Sequence, residues 1–160
     1  MNKAYIVLAA LLILLGAGLV ILPERDHPEE ASPRDLLGKL RDPSRFVTTD
    51  EVARMIIEQD PTLLLVDVRD MYDYLDYSLP GAHNIQLQEI LLYDWIDSLA
   101  YPRSKIVLFS NGDILADQAW ILLKRENHKN IHVMKGGLNR WFETIITPEP
   151  PAEVAGNEEI

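Results

Sequence analysis

The chain has 160 residues, 48% of them hydrophobic and 25% charged, which is ordinary for a folded protein and excludes wholesale disorder. The net charge is -10, a balance that repels phosphate backbones, so no nucleic-acid partner is expected. There is no cysteine, which excludes disulfides, thiolate metal sites and persulfide or thiol-nucleophile chemistry on this chain.

Residues 4–22 form an uncharged stretch, apolar on every face, preceded by Lys3 and followed by Pro23 and the polar run Glu24-Arg25-Asp26-His27. As a helix it would extend about 28 Å, close to the ~30 Å hydrocarbon core of a bilayer. It reads as a transmembrane anchor in preference to a cleaved signal peptide or a buried helix, with the bilayer as partner. With 1–3 in the cytoplasm, the bias of one lysine places the rest outside, in a periplasmic or extracytoplasmic position at the cell membrane.

Residues 23–45 are a polar linker broken by Pro28, Pro33 and Pro43. Within it, Ser32-Pro33-Arg34-Asp35 resembles a helix start for a short helix through Leu36, Leu37 and Leu40. Thr48-Thr49-Asp50-Glu51 is a capping box that opens a helix through Val52, Met55 and Ile56 to Gln59. Leu63 to Val68 is a run suited to a buried parallel strand. A short aromatic helix over Asp70–Tyr77 and a turn at Pro80-Gly81 lead into a brief strand around Asn84-Ile85. Glu89 to Leu99 places Ile90, Leu91, Trp95 and Leu99 on one helical face. A second buried strand, Ile106-Val107-Leu108-Phe109, runs into Ser110-Asn111-Gly112-Asp113, and a helix follows with Leu115, Ala119, Leu122 and Leu123 inward. The strand Ile131–Met134, the break at Gly136-Gly137 and a helix from Leu138 to Phe142 close the pattern. Residues 144–160, rich in Pro and Glu, read as a disordered acidic tail. Alternating strands and helices predict an α/β domain over 46–143, an open parallel sheet with helices on both faces.

Particular residues narrow the class. Val66-Asp67-Val68-Arg69-Asp70, then Asp73-Tyr74, Leu79-Pro80-Gly81-Ala82 and Asn84-Ile85, resemble the front half of a rhodanese-like domain. Ile106–Phe109 and the stretch from Lys129 to Trp141, with its Gly136-Gly137-x-x-x-Trp141 ending, resemble the back half. Asp67 and Arg69 are expected to pair at a strand end, and Pro80, Gly81, Gly136 and Gly137 to supply turn geometry. Trp95, Trp120 and Trp141 are expected to pack in the core.

The resemblance implies that the loop after the fourth strand is the candidate binding site. A catalytic member carries a cysteine and arginines there, in a bowl of backbone N–H groups. Here Ser110 takes the cysteine position, Asn111 and Leu115 stand where arginines are common, and Gly112 falls one place out of the pattern. Asp113 reads as an N-terminal cap, followed by Ile114 and Leu115, and Tyr77-Ser78 replaces an upstream Gly-His pair. A serine cannot hold a sulfane sulfur as a persulfide. The expected function is therefore a non-catalytic, membrane-anchored binding or scaffold module, a pseudoenzyme with a protein partner at the membrane. An enzyme using Ser110 and His83, or a non-covalent sulfur-trafficking accessory, is the alternative. Four histidines without clustered spacing predict no metal, and no cofactor is expected.

Overall fold

Three apolar runs, Leu63–Asp67, Lys105–Phe109 and Ile131–Met134, become the central strands of a five-stranded sheet in the computed structural model. The structure describes residues 3–21, 30–92, 95–96 and 103–148, with the side chains of 18–21 left out. The chain divides into two units, Met1–Glu30 and Ala31–Ile160.

The first unit contains α1, Lys3–Ile21, whose described side chains are exposed. Among the described residues no helix is long and apolar enough to cross a membrane. The expected anchor over 4–22, and with it the bilayer as partner, is therefore not supported.

The second unit begins with α2, Pro33–Arg41, capped by Ser32, whose hydroxyl accepts from Asp35 N at 3.2 Å. A 3₁₀ turn, Pro43–Arg45, leads to β1, Phe46–Val47. The capping box then starts α3, Thr49–Ile57, with Thr48 and Glu51 each accepting from the other's backbone N–H. After β2, Leu63–Asp67, Asp70 caps α4, Met71–Asp76, by accepting from Tyr72 N and Asp73 N. The edge strand β3 is His83–Asn84. Strand β4, Lys105–Phe109, is followed by α5, Ile114–Arg125, then β5, Ile131–Met134, and α6, Gly137–Trp141. A π-helical turn, Phe142–Ile146, carries ordered backbone into the stretch read as a tail, and 149–160 lie outside the described residues.

The sheet order is β1-β5-β4-β2-β3 and every pairing is parallel. Period-two alternation sends successive side chains to opposite faces. Leu64, Val66, Ile106, Leu108, Ile131 and Val133 pack with Ala116, Ala119, Trp120 and Leu123 of α5. On the other face Leu65, Val107, Phe109 and Met134 meet Val52 of α3 and Leu138 and Trp141 of α6. Helices thus cover both faces, which keeps the open ends of the strands as the places where polar loops gather.

The start of the helix expected over Glu89–Leu99 differs: Leu87–Glu89 is a 3₁₀ turn followed by a turn over 90–92, where Leu91 and Leu92 are exposed; 95–96 are helical, and 93–94 and 97–99 lie outside the described residues. Trp95 is nevertheless buried, its indole N–H donating to Ile90 O at 3.0 Å.

Candidate functional site

At the carboxyl ends of β2 and β4, the chain leaves the sheet twice. Asp67 closes β2 with no exposed surface, and burying that carboxylate is costly unless it is fully partnered. It is: Arg69 donates to it through Nη2 at 2.7 Å and Nε at 3.0 Å, Arg69 N at 3.1 Å, and Ser78 Oγ at 2.7 Å. Burial opposes the charge on Arg69, but the hydrogen bond and charge of Asp67, aided by Asp73 and Asp70, outweigh it and raise the guanidinium pKa. The same guanidinium donates to Tyr77 O at 2.5 Å and, through Nη1, to Asn111 Oδ1 at 2.9 Å. Asn84 Nδ2 completes the corner by donating to Asp67 O and Arg69 O.

Ser110 follows β4 and is buried, 2% exposed. Its hydroxyl donates to Gly112 O at 2.6 Å, so the proton that a base would have to remove is committed to a carbonyl. His83 is exposed on the edge strand and makes no hydrogen bond to Ser110, so the Ser110–His83 pairing is not what the structure holds. Asn111 reaches α4 as well, Nδ2 donating to Asp73 Oδ2 at 3.4 Å. Ile114 is 75% exposed and Leu115 is exposed beside it.

The glycine pair underlies this loop. Leu138 N donates to Ser110 O at 2.8 Å and Asn139 N to Asn111 O at 2.9 Å. Gly137 has φ of +57° and a Cβ placed there would stand 2.3 Å from Ser110 O, so only glycine allows the approach. Asp113 is not the side-chain cap expected of it. Its carboxylate accepts from Gly136 N at 2.6 Å, 23 residues away in sequence, and makes no capping bond to α5. Pro80 and Gly81 form a turn closed by Ala82 N to Leu79 O at 3.1 Å, with Gly81 at φ +76°. Trp141 is buried in the core, its indole nitrogen lacking a hydrogen-bond partner among the described residues.

The sequence marked Asp73, Ser78 and Asn84 only as motif positions; the structure makes them partners at this corner from three different segments. Tyr72 was passed over; it is 86% exposed and precedes the Asp73 that touches Asn111. Among the described residues no group of His, Asp and Glu is arranged to hold a metal ion.

A parallel sheet in this order, with a loop seated on a Gly-Gly pair at the carboxyl end, defines an open α/β domain of the rhodanese type. The rhodanese-like domain model matches residues 48–144, and the chain belongs to that family. The fold agrees with solved structures: a rhodanese-like domain from Anabaena sp. superposes with a TM-score of 0.53 at 24% identity, covering 72% of this chain and 91% of that one. A single-domain sulfurtransferase from Saccharomyces cerevisiae gives 0.51 at 21% identity, covering 61% and 87%.

Among curated proteins, the tRNA uridine(34) hydroxylase of Prochlorococcus marinus is 33% identical over 93 residues, 54% of this chain and 29% of that protein. The enzyme of the same name from Acinetobacter baumannii is 28% identical over 127 residues, 78% of this chain and 37% of that protein. The chain therefore spans about a third of the length of these relatives. Two expectations are corrected by them. The reading as a non-catalytic membrane scaffold, a pseudoenzyme, gives way because the relatives are named for an enzyme activity. The exclusion of nucleic acid gives way because that activity is named for tRNA. Physically, a net charge is an average over the chain and does not say where each sign is displayed.

Proposed function

We propose that this chain is the rhodanese-like part of an enzyme that modifies uridine in tRNA, and that the loop 110–115 is where the base is met. The observation that carries the reading is the relationship to tRNA uridine(34) hydroxylases across the folded domain, 33% identical over 93 residues in one case. The activity and substrate of those longer proteins are transferred here as part of the proposal.

In this reading Ser110 stands at the place of the family's cysteine. With no cysteine in the chain, no sulfur is carried on the protein at this loop. What remains is recognition and positioning. Asn111, held by Arg69 and Asp73, presents its amide at the loop's exposed edge. Tyr72 offers an exposed ring on which a base can stack, a contact worth about 1–3 kcal/mol. Asp73 and Asp70 both place negative charge near Arg69 at this corner, which favours entry of a neutral base over a phosphate.

Titration of the purified chain with an anticodon stem-loop RNA carrying uridine at position 34 tests the reading. Binding is expected, weakened about tenfold or more in Tyr72→Ala and in Asn111→Ala, the ~1.4 kcal/mol scale of one lost contact. No binding, or binding that neither variant weakens, rejects it.

A further inference from the structure

A polar cavity lies at the opposite, amino end of the strands, outside the loop discussed above. It has a volume of about 220 Å³ and is walled by Lys39 of α2, Arg45 of the 3₁₀ turn, Lys124 of α5 and His132 of β5, with Trp120 and Ile131 among its apolar lining. In a chain of net charge -10, three cationic side chains around one cavity are a local reversal of sign.

We propose that this cavity is a binding site for a phosphate group, held between the Lys39 and Lys124 ammonium groups with Arg45 beside them. Three observations carry the assignment. First, no ion pair joins Lys39 or Lys124 to a carboxylate among the described residues. Lys124 Nζ donates to His128 O at 3.0 Å and lies 5.7 Å from the Trp120 ring centroid, so it is held in place with donors to spare. Second, Arg45 lines the cavity as a third cation, while its Nε is buried and not open to a ligand. The other end of that guanidinium is paired with Asp117 and stacked 3.9 Å from the Phe46 centroid, which fixes its orientation. Third, the three cations outnumber the lining carboxylate, Asp42, which accepts from Ser44 N at 2.9 Å and stays charged.

The Lys124 pKa agrees with this picture. It is lowered, first by burial and then by the charge of Lys39, so two like charges oppose one another across a partly desolvated space. An oxyanion between them removes that repulsion. The size decides the ligand class: at about 220 Å³ the cavity falls below the ~300–1,000 Å³ of sites that enclose drug-sized molecules. It suits one phosphate group and not a whole nucleotide.

A single phosphate group comes either from a free phosphate or from the backbone of an RNA, and the inference does not rest on the activity proposed above. The experiment is an amide NMR titration of the full chain with inorganic phosphate and, separately, with an anticodon stem-loop RNA. Perturbation at Lys124, Asn130 and His132 by phosphate alone, weakened tenfold or more in Lys39→Gln, supports the site with a free phosphate as ligand. Perturbation there by the RNA only, equally weakened in Lys39→Gln and steeply salt-dependent, supports it with a backbone phosphate as ligand. Lys39 is exposed, so this variant keeps the fold even where Lys124→Gln loosens the packing on Trp120. The site is overturned if neither probe perturbs these amides, or if Lys39→Gln binds as tightly as the natural chain.

Discussion

The two ends of the sheet handle charge in opposite ways. At the carboxyl end the buried carboxylate of Asp67 is met by Arg69, Ser78 and backbone N–H, and Arg69 has further partners in Tyr77 and Asn111. At the amino end Lys39 and Lys124 face one cavity with no carboxylate paired to either among the described residues. A closed network costs little to keep and much to break, because each member satisfies another in a medium of low dielectric. An open cluster of like charges is mildly unfavourable until something of opposite sign arrives. The contrast teaches that the carboxyl end is built to hold a loop still, whereas the amino end is left with unmet donors.

Breaking the closed end should produce the largest effect. Arg69→Leu leaves Asp67 buried without its guanidinium, a change that costs about 3–5 kcal/mol when one partner of a buried pair is lost. Against a total stability of about 5–15 kcal/mol for a domain, that is a large fraction. Urea denaturation followed by circular dichroism should show the midpoint falling with little change in slope. Because Arg69 also holds Asn111, amide exchange in the loop 110–113 should rise with it. A variant within about 0.5 kcal/mol of the natural chain would mean that the corner is not closed in the way the distances indicate.

How much of this was legible in the sequence follows from how local each signal is. The capping box at Thr48–Glu51 and the apolar runs of β2, β4 and β5 need only neighbouring residues, and the elements stand where those signals put them. Strand β1 has only two residues and exists because Phe46 and Val47 register against Val133 and Met134, which no local pattern shows. The helix expected from Glu89 rested on helical spacing alone, and its first residues are instead a 3₁₀ turn and a turn over 87–92. Asp113 was misread for the same reason. A carboxylate ahead of a helix is a reasonable cap until Gly136 N arrives from 23 residues away as a better donor. The motif residues of the site could be picked out one by one, but their wiring through Ser78 and Asn84 could not, since a motif position does not say which side chain it bonds.

The glycines sharpen what the closed end requires. Gly81 and Gly137 both have positive φ, but a Cβ on Gly81 meets nothing within 4 Å, whereas one on Gly137 meets Ser110 O at 2.3 Å. Gly81→Ala should therefore cost only the left-handed backbone strain, about 1–2 kcal/mol. Gly137→Ala adds a backbone collision and should cost about 1–2 kcal/mol more, the range expected for forced displacement in a packed interior. The same substitution at two sites, compared by thermal melting, separates backbone preference from close packing. Equal losses at both would show that the loop is not pressed onto the glycine pair.

The amino end offers the smallest effect and a test of its cationic character. Burial is the largest influence on His132 and lowers its pKa from the ordinary 6.5; the hydrogen bond to Ser44 O opposes this. Lys105 and Lys124 add to the lowering, and Glu51 works against them. Above pH 6.5 the imidazole is neutral in both folded and unfolded chains, and His132 costs nothing. As the pH falls below that value, the unfolded chain takes up a proton that the folded protein resists. Stability is then lost progressively until the pH passes below the folded pKa. His132→Gln keeps a donor for Ser44 O and cannot titrate, so its loss of stability between pH 7.5 and 5 should be smaller than that of the natural chain. Placing Lys124→Gln beside it refines the reading: removing that neighbouring positive charge eases protonation of His132 and should reduce the acid-side loss in the same direction. Parallel declines in all three chains would mean that the positive field at this end of the sheet is too weak to be felt by a group that shares its cavity.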